Sequence, residues 1–333
     1  MKKLLFVLFF FGLSQVLFGQ SPRWEEVKTP VNSSLRGLAP VSDQICWASG
    51  SGGTWLKTQD GGKTWENGVI AGLDTVDFRS IYAWDELNAV AASAGQPALI
   101  FRTEDGGTTW SLVHREGEEA FFDAIYFFGD VGYVLGDPVG RKWMVLASSD
   151  RGKTWKSLEK LPEALNGEAA FAASSSSLIA NSNEVIFATG GSSSRLHRYS
   201  IMDMSWKVNP LPLMAQGESA KGVFAMTEAE GRLIMVGGDY TLPESREGNA
   251  LFSDFSGFQI PEVSPFGYRS GVAFLKGKKM LIAVGPSGSD FSLDLGNTWA
   301  SFSKTGFHAV KNSVDGSAIW TSGSGGRIAK LRF

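Results

Sequence analysis

The chain contains 333 residues, with 31 Lys and Arg against 34 Asp and Glu, a formal net charge of −3. This balance gives no whole-molecule attraction to nucleic acid, so we do not expect nucleic acid as a partner. A single cysteine excludes a disulfide framework, and 40 Gly, 23 Phe and 11 Trp favour short strands joined by tight turns. No stretch has the length and period of a substantial amphipathic helix, which predicts an all-β protein.

The N-terminal residues 1–19 have the pattern of a cleaved secretory signal peptide. Lys2 and Lys3 precede the apolar residues 4–13, and small residues lie close to the expected cleavage point. A transmembrane anchor is the alternative, but the apolar run is shorter than the about 20 residues that a span needs. We therefore expect residues 20–333 to form one domain, in the periplasm or outside the cell, with no membrane span after cleavage.

One eight-residue motif, S/T-x-D-x-G-x-T-W, occurs four times, and its first three aspartates are 45 residues apart. This spacing is typical of propeller blades. The carboxylate can accept hydrogen bonds from the following amides and the glycine permits a left-handed backbone, so each copy predicts a tight turn closed by a packed indole. The motif resembles the Asp-box of sialidase-like β-propellers, which implies a structural role away from the ligand. The residues concerned are Asp60, Trp65, Asp105, Trp110, Asp150, Trp155, Asp294 and Trp299.

Two degenerate copies, Asp203–Trp206 and Ser253–Gly257, bring the number of repeats to six. A seventh unit is indicated by Ala318–Lys330, which has the pattern of a strand, a glycine turn and a second strand. Its missing outer strand is expected at the other end of the chain, where Trp24–Val27 matches the sequence that follows a box. We therefore predict a seven-bladed β-propeller that is closed by pairing of the N- and C-terminal strands in one blade.

Each blade is expected to contain four strands, a to d, with strand a innermost and the box in the c–d turn. In blade one the predicted strands b and c cover Ile45–Ser49 and Thr54–Thr58. The seven innermost strands are predicted to open near Leu35, Phe78, Phe122, Gly167, Ala220, Tyr268 and Phe307.

A polar residue lies beside each predicted start of an innermost strand. The seven residues are Arg36, Arg79, Asp123, Glu168, Lys221, Arg269 and His308. They are expected to ring the channel mouth opposite the Asp-boxes, with Asp239 and Tyr240 bordering it. Such a mixed-charge pocket, with His308 counted as potentially cationic, suits a carboxylate, a sugar or a peptide terminus. The alternative is a solvated polar mouth whose charges only pair with one another.

Other kinds of site find no support in the sequence. Cys46 is flanked by Ile45 and Trp47 in a predicted strand, which favours a buried thiol without a catalytic role. The three histidines are far apart and do not form a zinc signature. No dinucleotide-binding glycine motif is present. We therefore expect no metal and no cofactor.

Several stretches together resemble the photosystem II stability/assembly factor-like propellers, and more narrowly their secreted, non-photosynthetic bacterial relatives. The similarity covers about residues 24–333 and implies a seven-bladed ring. Plant and cyanobacterial members bind a membrane-protein precursor during assembly, with an arginine-containing face implicated. Some relatives are labelled oxidoreductases, but this sequence shows no cofactor site for that activity. The stretches are Arg36–Leu38, Trp47–Gly50, Glu168–Ser174, Gly237–Tyr240, Gly267–Val272, Ala283–Asp290 and Gly306–Ala309.

Two functions follow as hypotheses. The favoured one is a non-catalytic, monomeric binding or assembly module that holds a protein segment or a small anionic ligand at the mouth. The alternative is a sialidase-like glycoside hydrolase, in which three arginines clamp a sugar carboxylate and a tyrosine attacks. Arg36, Arg79 and Arg269 with Tyr240 could supply those groups, although the Arg-Ile-Pro signature of sialidases is missing.

Overall fold

The computed structural model describes residues 21–333, which form seven antiparallel sheets around a central channel. The innermost strands of neighbouring sheets contact one another in a closed cycle. This arrangement confirms the predicted all-β, seven-bladed propeller. The segment interpreted as a signal peptide lies outside the described residues.

The strands follow the chain blade by blade. The first is β1 (Arg23–Val27). Blade one contains β2 (Leu35–Pro40), β3 (Cys46–Gly50), β4 (Thr54–Thr58) and β5 (Glu66–Val69). Blade two contains β6 (Ser80–Ala83), β7 (Ala89–Ala92), β8 (Leu99–Thr103) and β9 (Ser111–Arg115). Blade three contains β10 (Phe122–Phe128), β11 (Val131–Val139), β12 (Lys142–Ser148) and β13 (Lys156–Ser157).

In the second half of the ring, two short strands, β14 (Glu168–Ala169) and β17 (Gly190–Gly191), come from the blade-four part of the chain but extend the blade-five sheet. Blade four itself contains β15 (Leu178–Ala180), β16 (Glu184–Ala188), β18 (Arg195–Ser200) and β19 (Ser205–Pro210). Blade five contains β20 (Lys221–Ala229), β21 (Arg232–Asp239), β22 (Ala250–Asp254) and β23 (Gly257–Gln259). Blade six contains β24 (Gly271–Leu275), a 3-10 turn (Lys276–Lys278), β25 (Met280–Gly285), β26 (Gly288–Ser292) and β27 (Ala300–Ser303). Blade seven contains β28 (Ala309–Asn312), β29 (Ile319–Ser322) and β30 (Ile328–Arg332). No helix within residues 21–333 is long and apolar enough to cross a bilayer.

The seventh blade joins the two ends of the described chain. Strand β1 pairs antiparallel with β30, with Trp24 opposite Leu331 and Val27 opposite Ile328. The indole of Trp24 also donates a hydrogen bond of 2.9 Å to Ser289 Oγ in blade six. The N-terminal strand therefore supplies strand d of blade seven, as the sequence predicted.

An apolar cluster fills each of the seven interfaces between neighbouring blades. Between blades seven and one, Leu38 and Cys46 pack against Ala309 and Trp320. Burial raises the pKa of the Cys46 thiol, in agreement with the buried, unreactive thiol that the sequence predicted. Because each sheet is covered on both faces by its neighbours, the core is distributed around the ring.

The four complete Asp-boxes form the same turn between strands c and d. In the first box, Thr64 donates from its backbone N–H (2.9 Å) and its hydroxyl (2.6 Å) to the two carboxylate oxygens of Asp60. The hydroxyl of Thr58 donates to Asp60 Oδ1 at 2.9 Å and accepts from the N–H of Gly62 at 2.9 Å. The bonds from Thr64 lower the pKa of Asp60 to about 2, so this carboxylate serves the turn. Equivalent contacts are made by Asp105, Asp150 and Asp294.

The tryptophans that close the boxes fall into two groups. Trp155 and Trp299 are 7% and 3% exposed, and each indole N–H donates to the carbonyl oxygen of its box glycine at 3.1 and 3.0 Å. Trp65 and Trp110 are half-buried, and their indole nitrogens have no hydrogen-bond partner among the residues described. The first pair therefore contributes more to blade packing than the second.

The two degenerate copies also lie at c–d turns, where fewer contacts hold them. Asp203 in blade four accepts a hydrogen bond of 2.7 Å from the hydroxyl of Ser200. Asp254 in blade five accepts one of 2.7 Å from the N–H of Ser256. The blade-five turn has no tryptophan, and Phe255 in this turn is fully exposed.

Blade four differs from the prediction at its start. Its innermost strand is β15, so the prediction that this blade opens at Gly167 is wrong. The earlier residues form β14, which pairs with β17 at the edge of the blade-five sheet. The Ala- and Ser-rich run after Glu168 has small side chains, which allow its backbone to enter the channel instead of forming a blade strand.

Residues 170–177, here called the plug segment, precede β15 and contact the innermost strands of the two flanking blades, three and five. The hydroxyl of Ser175 accepts from the N–H of Ile125 in blade three at 2.9 Å and donates to the carbonyl of the same residue at 3.0 Å. Ser176 forms a parallel bridge with Ala225 of blade five. The serines of the segment are all buried. The plug segment therefore lies at the inner edge of the ring, between blades three and five.

We expect Trp299→Ala to lower the free energy of unfolding by about 3–5 kcal/mol, because it removes a buried indole from the interface between blades five and six. Urea unfolding of the purified chain measures this change. Phe255→Ala is the matched control, since its exposed ring should contribute less than about 0.5 kcal/mol. Equal losses in the two variants would contradict the proposed role of the box tryptophan.

Candidate functional site

The channel has two mouths. The box mouth is bordered by the a–b and c–d turns, which include the Asp-boxes, and the loop mouth is bordered by the d–a and b–c loops. Arg36 in β2, Arg79 before β6 and His308 before β28 lie at the loop mouth, and the two arginine charges act on the histidine. These three residues of the predicted ring therefore converge.

Arg36 extends from blade one toward the plug segment. Its Nη1 donates a hydrogen bond of 3.2 Å to the carbonyl oxygen of Ala173. Among residues 21–333, no carboxylate lies within 4.0 Å of its guanidinium nitrogens. Burial, followed by the charge of Arg79, lowers the pKa of Arg36. Arg36 is therefore a half-buried cation that no direct ion pair neutralises.

The second arginine of the loop mouth is paired, since Arg79 Nε lies 2.7 Å from Oδ2 of Asp77. The charge of Arg79 also acts on Asp123, which is 1% exposed. Oδ2 of Asp123 has no hydrogen-bond partner in the described chain. Burial, and then the charge of Asp137, raise the pKa of Asp123 well above its usual range. Burial likewise raises the pKa of Asp137. Both carboxyls therefore ionise less readily than exposed ones do.

His308 serves the loop mouth as a neutral hydrogen-bonding group. Its Nε2 lies 2.8 Å from Ser324 Oγ and 3.3 Å from Ser34 Oγ. Burial, followed by the charges of Arg36 and Arg79, lowers the pKa of His308 to about 3. The expectation that this histidine joins the cationic groups is therefore wrong at neutral pH.

Four aromatic side chains, here called the aromatic wall, lie beside the arginines. Phe171 stacks on Phe224 with ring centroids 3.9 Å apart, and Tyr268 meets the Phe224 ring edge-on at 4.8 Å. Tyr240 completes the group at 6.2 Å from Phe224 and is 50% exposed. The phenol of Tyr268 also interacts electrostatically with Arg36. Cationic and apolar surfaces therefore meet at the loop mouth.

Lys221 and Asp239 lie opposite each other in β20 and β21, at the blade-five rim. Lys221 Nζ lies 2.7 Å from a carboxylate oxygen of Glu218. Asp239 accepts hydrogen bonds from the N–H and hydroxyl of Thr241 at 2.9 and 2.6 Å. Each charge already has a local partner, so the pair offers less to a ligand than Arg36 does.

Glu168 lies in β14 and does not precede an innermost strand, in contrast to the prediction. Its carboxylate forms an ion pair with Arg195 and lies 3.2 Å from His197 Nε2 and 2.6 Å from the hydroxyl of Thr189. Burial raises the pKa of Glu168, but hydrogen bonds from these three side chains outweigh burial and lower this pKa to about 2. Glu168 thus anchors the chain that leads into the plug segment.

Arg269 is also a structural residue, with 1% of its surface exposed. Its Nε and Nη2 each lie 2.7 Å from Oδ2 of the buried Asp290. Its Nη1 donates to the carbonyl of Tyr268 at 2.9 Å and to Ser287 Oγ at 3.0 Å. All three nitrogens are therefore occupied within blade six, and the placement of Arg269 among the mouth residues is wrong.

The positions of the three arginines argue against the sialidase-like hypothesis. That hypothesis requires Arg36, Arg79 and Arg269 to hold one carboxylate together, but Arg269 is buried in its own ion pair. The described residues therefore do not assemble the predicted three-arginine clamp. Within residues 21–333, no group of three or more His, Cys, Asp and Glu side chains is arranged to hold a metal ion.

Several residues of the site were not predicted as such. Asp77, Tyr268 and Ala173 contact or neighbour the arginines, and Phe171 and Phe224 form most of the aromatic wall. The run EAAFAAS did carry a signal, since it lacks the alternation of a half-buried strand. Its burial against other blades is a long-range feature that spacing alone does not show.

The seven sheets, the closing strand and the four Asp-boxes define an Asp-box β-propeller with a basic and aromatic loop mouth. A family model for the photosystem II assembly factor YCF48 matches residues 18–117 and 94–196, which together span more than half of the chain. The chain therefore belongs to this family, as the resemblance in its sequence implied. No curated protein matches it.

Solved structures agree with this fold. YCF48 bound to a D1 peptide superposes with a TM-score of 0.66 at 16% identity, over 93% of this chain and 95% of that chain. YCF48 from Cyanidioschyzon merolae gives a TM-score of 0.65 at 19% identity, over 93% and 98%. The WD40 β-propeller domain of Doa1 gives 0.63 at 11% identity, over 94% and 97%. At these identities the similarity supports the fold alone.

Arg269→Ala should lower the free energy of unfolding by about 3–5 kcal/mol, because it leaves the buried carboxylate of Asp290 without its partner. Thermal and urea unfolding test this expectation. Arg115→Ala is the control, since that arginine is 53% exposed in a surface ion pair. An Arg269→Ala variant as stable as wild type would show that the buried pair is not structural.

The neutral state of His308 predicts a pH dependence of stability. Its folded-state pKa of about 3 lies below the unfolded value near 6.5, so the unfolded chain binds the extra proton between these values. The free energy of unfolding should therefore fall as the pH decreases through this window, with a contribution from His308 of up to about 1.4 kcal/mol per pH unit.

Urea unfolding of wild type and His308→Gln at several pH values isolates this contribution. The stability difference between them should depend on pH below about 6.5 and become constant above it. A difference that stays constant down to about pH 4 would show that the folded protein accepts a proton on His308 as readily as the unfolded chain.

Proposed function

We propose that this protein is a non-catalytic binding or assembly module that holds an extended protein segment at the loop mouth. The observation that carries the proposal is Arg36, a half-buried guanidinium without a carboxylate partner among the described residues. A desolvated cation of this kind gains more from an anionic ligand than an exposed one does. A C-terminal carboxylate is the anion that a protein segment brings with it.

The geometry around Arg36 supports a fork-shaped contact. One hydrogen bond, from Nη1 to Ala173, fixes the guanidinium against the plug segment. Its remaining N–H groups can donate to both oxygens of one carboxylate. Arg79 adds a second positive charge nearby, and the neutral imidazole of His308 adds a polar group without further charge.

The aromatic wall supports a peptide over a small, fully polar anion. Phe171, Phe224 and Tyr268 form a packed surface beside Arg36, and the half-exposed Tyr240 extends that surface toward solvent. Large aromatic side chains with a polar tip are favoured where proteins bind other proteins. A segment with an apolar residue close to its free C-terminus would contact both parts of the mouth.

The related solved structure of YCF48 with a D1 peptide supports a protein segment as the class of ligand. A photosystem partner is not proposed for this chain. Cleavage of residues 1–19 and a periplasmic or extracellular location remain part of the proposal, supported by the charged, apolar and small-residue pattern at the N-terminus.

Short random peptides displayed with a free C-terminus should yield binders of the purified chain. The binder with the highest affinity is then compared with its C-terminal amide by calorimetry. Loss of the carboxylate, or Arg36→Ala, should weaken binding by about 10- to 150-fold, as expected for a hydrogen bond to a charged group worth about 1.5–3 kcal/mol.

Arg115→Ala, at an exposed position on the outer strand β9, is the matched control and should leave the affinity unchanged. Combining the two changes tests the pairing, because the peptide amide should bind to Arg36→Ala with the same affinity as the peptide acid does. If acid and amide bind equally to wild type, or if the display yields no binder, the proposed recognition of a C-terminus is wrong.

A further inference from the structure

A cavity of 580 Å³ lies at the other end of the channel, between the plug segment and the box mouth. Ser175 and Ser176 of the plug segment line its inner end and are 1% and 7% exposed. Phe128, Glu228 and Val314 lie at its outer end and are exposed to solvent. The cavity therefore opens to solvent at the box mouth.

Most side chains that line the cavity are apolar and come from all seven innermost strands. Its volume lies within the range of about 300–1,000 Å³ that is usual for small-molecule sites. A protein interior of normal packing density does not leave such a space unfilled. The apolar and aromatic lining residues that are not fully buried are Tyr82, Tyr126, Phe128, Ile179 and Val314.

One amino group lies among these apolar side chains. Lys311 belongs to β28, lines the cavity and has no hydrogen bond or ion pair within the part of the chain described. Burial lowers the pKa of the Lys311 ammonium to about 8, which reflects the loss of water around the charge. At neutral pH most of the population still carries the charge, so the cavity contains a half-buried cation without an ion-pair partner among the described residues.

The other titratable groups of the cavity do not neutralise Lys311. They are Tyr82, Tyr126 and Glu228. Burial raises the pKa of both phenols, that of Tyr82 to about 12, so both remain neutral at pH 7. The carboxylate of Glu228 is exposed at the outer end, accepts a hydrogen bond of 3.4 Å from Asn181 and forms no ion pair with Lys311.

From this arrangement we propose that the box-mouth cavity is a second binding site, which takes a small amphipathic carboxylate such as a medium-chain fatty acid. The carboxylate pairs with the ammonium of Lys311, and the hydrocarbon chain lies against the apolar lining. Charge pairing restores the solvation that Lys311 lacks, and burial of the chain supplies the hydrophobic contribution. The site is distinct from the proposed peptide contact, because the two have no lining residue in common.

Calorimetric titration of the mature chain with octanoate at pH 7 tests the proposal. Wild type should bind one octanoate, and octan-1-ol and octylammonium should bind at least tenfold more weakly, because neither can pair with an ammonium. Lys311→Met keeps the length and apolar stem of the side chain but removes its charge, and it should lower octanoate affinity at least tenfold. Lys304→Met, on the exposed chain before blade seven, is the matched control and should bind as wild type does.

A titration series of wild type from pH 7 to pH 9.5 gives a second readout without a variant. Since Tyr82 titrates only near pH 12, a loss of octanoate affinity as the pH rises through about 8 would report the deprotonation of Lys311. Three results would each overturn the proposal: no octanoate binding by wild type, equal binding of octylammonium, or octanoate affinity that changes neither with pH nor in folded Lys311→Met.

Discussion

The structure depends on the requirement that every sheet be covered on both faces. A four-stranded sheet with two apolar faces is not stable alone, and here each sheet obtains its cover from two neighbours. That condition is met for all seven sheets only if the ring closes, which the pairing of β1 with β30 achieves. The Asp-boxes serve the same end, because their turns hold large indoles such as Trp155 and Trp299 against the preceding blade.

A second constraint acts inside the ring, where each innermost strand has one backbone edge without a neighbour. The plug segment satisfies part of two such edges, through Ser175 on blade three and Ser176 on blade five. It also receives Arg36 from blade one. The two mouths of the ring thus differ in chemistry, one basic and aromatic, the other lined mostly by apolar residues with a single amine.

Repeat spacing made the fold predictable, because Asp60, Asp105 and Asp150 report blade length directly and β4 occurs where the motif requires it. The functional site was harder to predict from the sequence. A charged residue beside a strand has the same sequence pattern whether it stays without an ion pair, like Arg36, or is buried in one, like Arg269. The partners that decide the outcome, such as Asp290 for Arg269, are distant in sequence. The neutral state of His308 likewise arises from burial and then from the charges of arginines in two other blades, Arg36 and Arg79.

The closing blade also sets an order of events during folding. Glu25 in β1 and Arg332 in β30 are 307 positions apart, so their contact can form only after nearly the whole chain is available. Contacts of such long range carry a large loop-closure entropy and form slowly. The first six blades, built from neighbouring strands, can assemble earlier. Until β1 is joined, the incomplete seventh sheet keeps one open edge, and in that interval the nascent propeller is most exposed to aggregation.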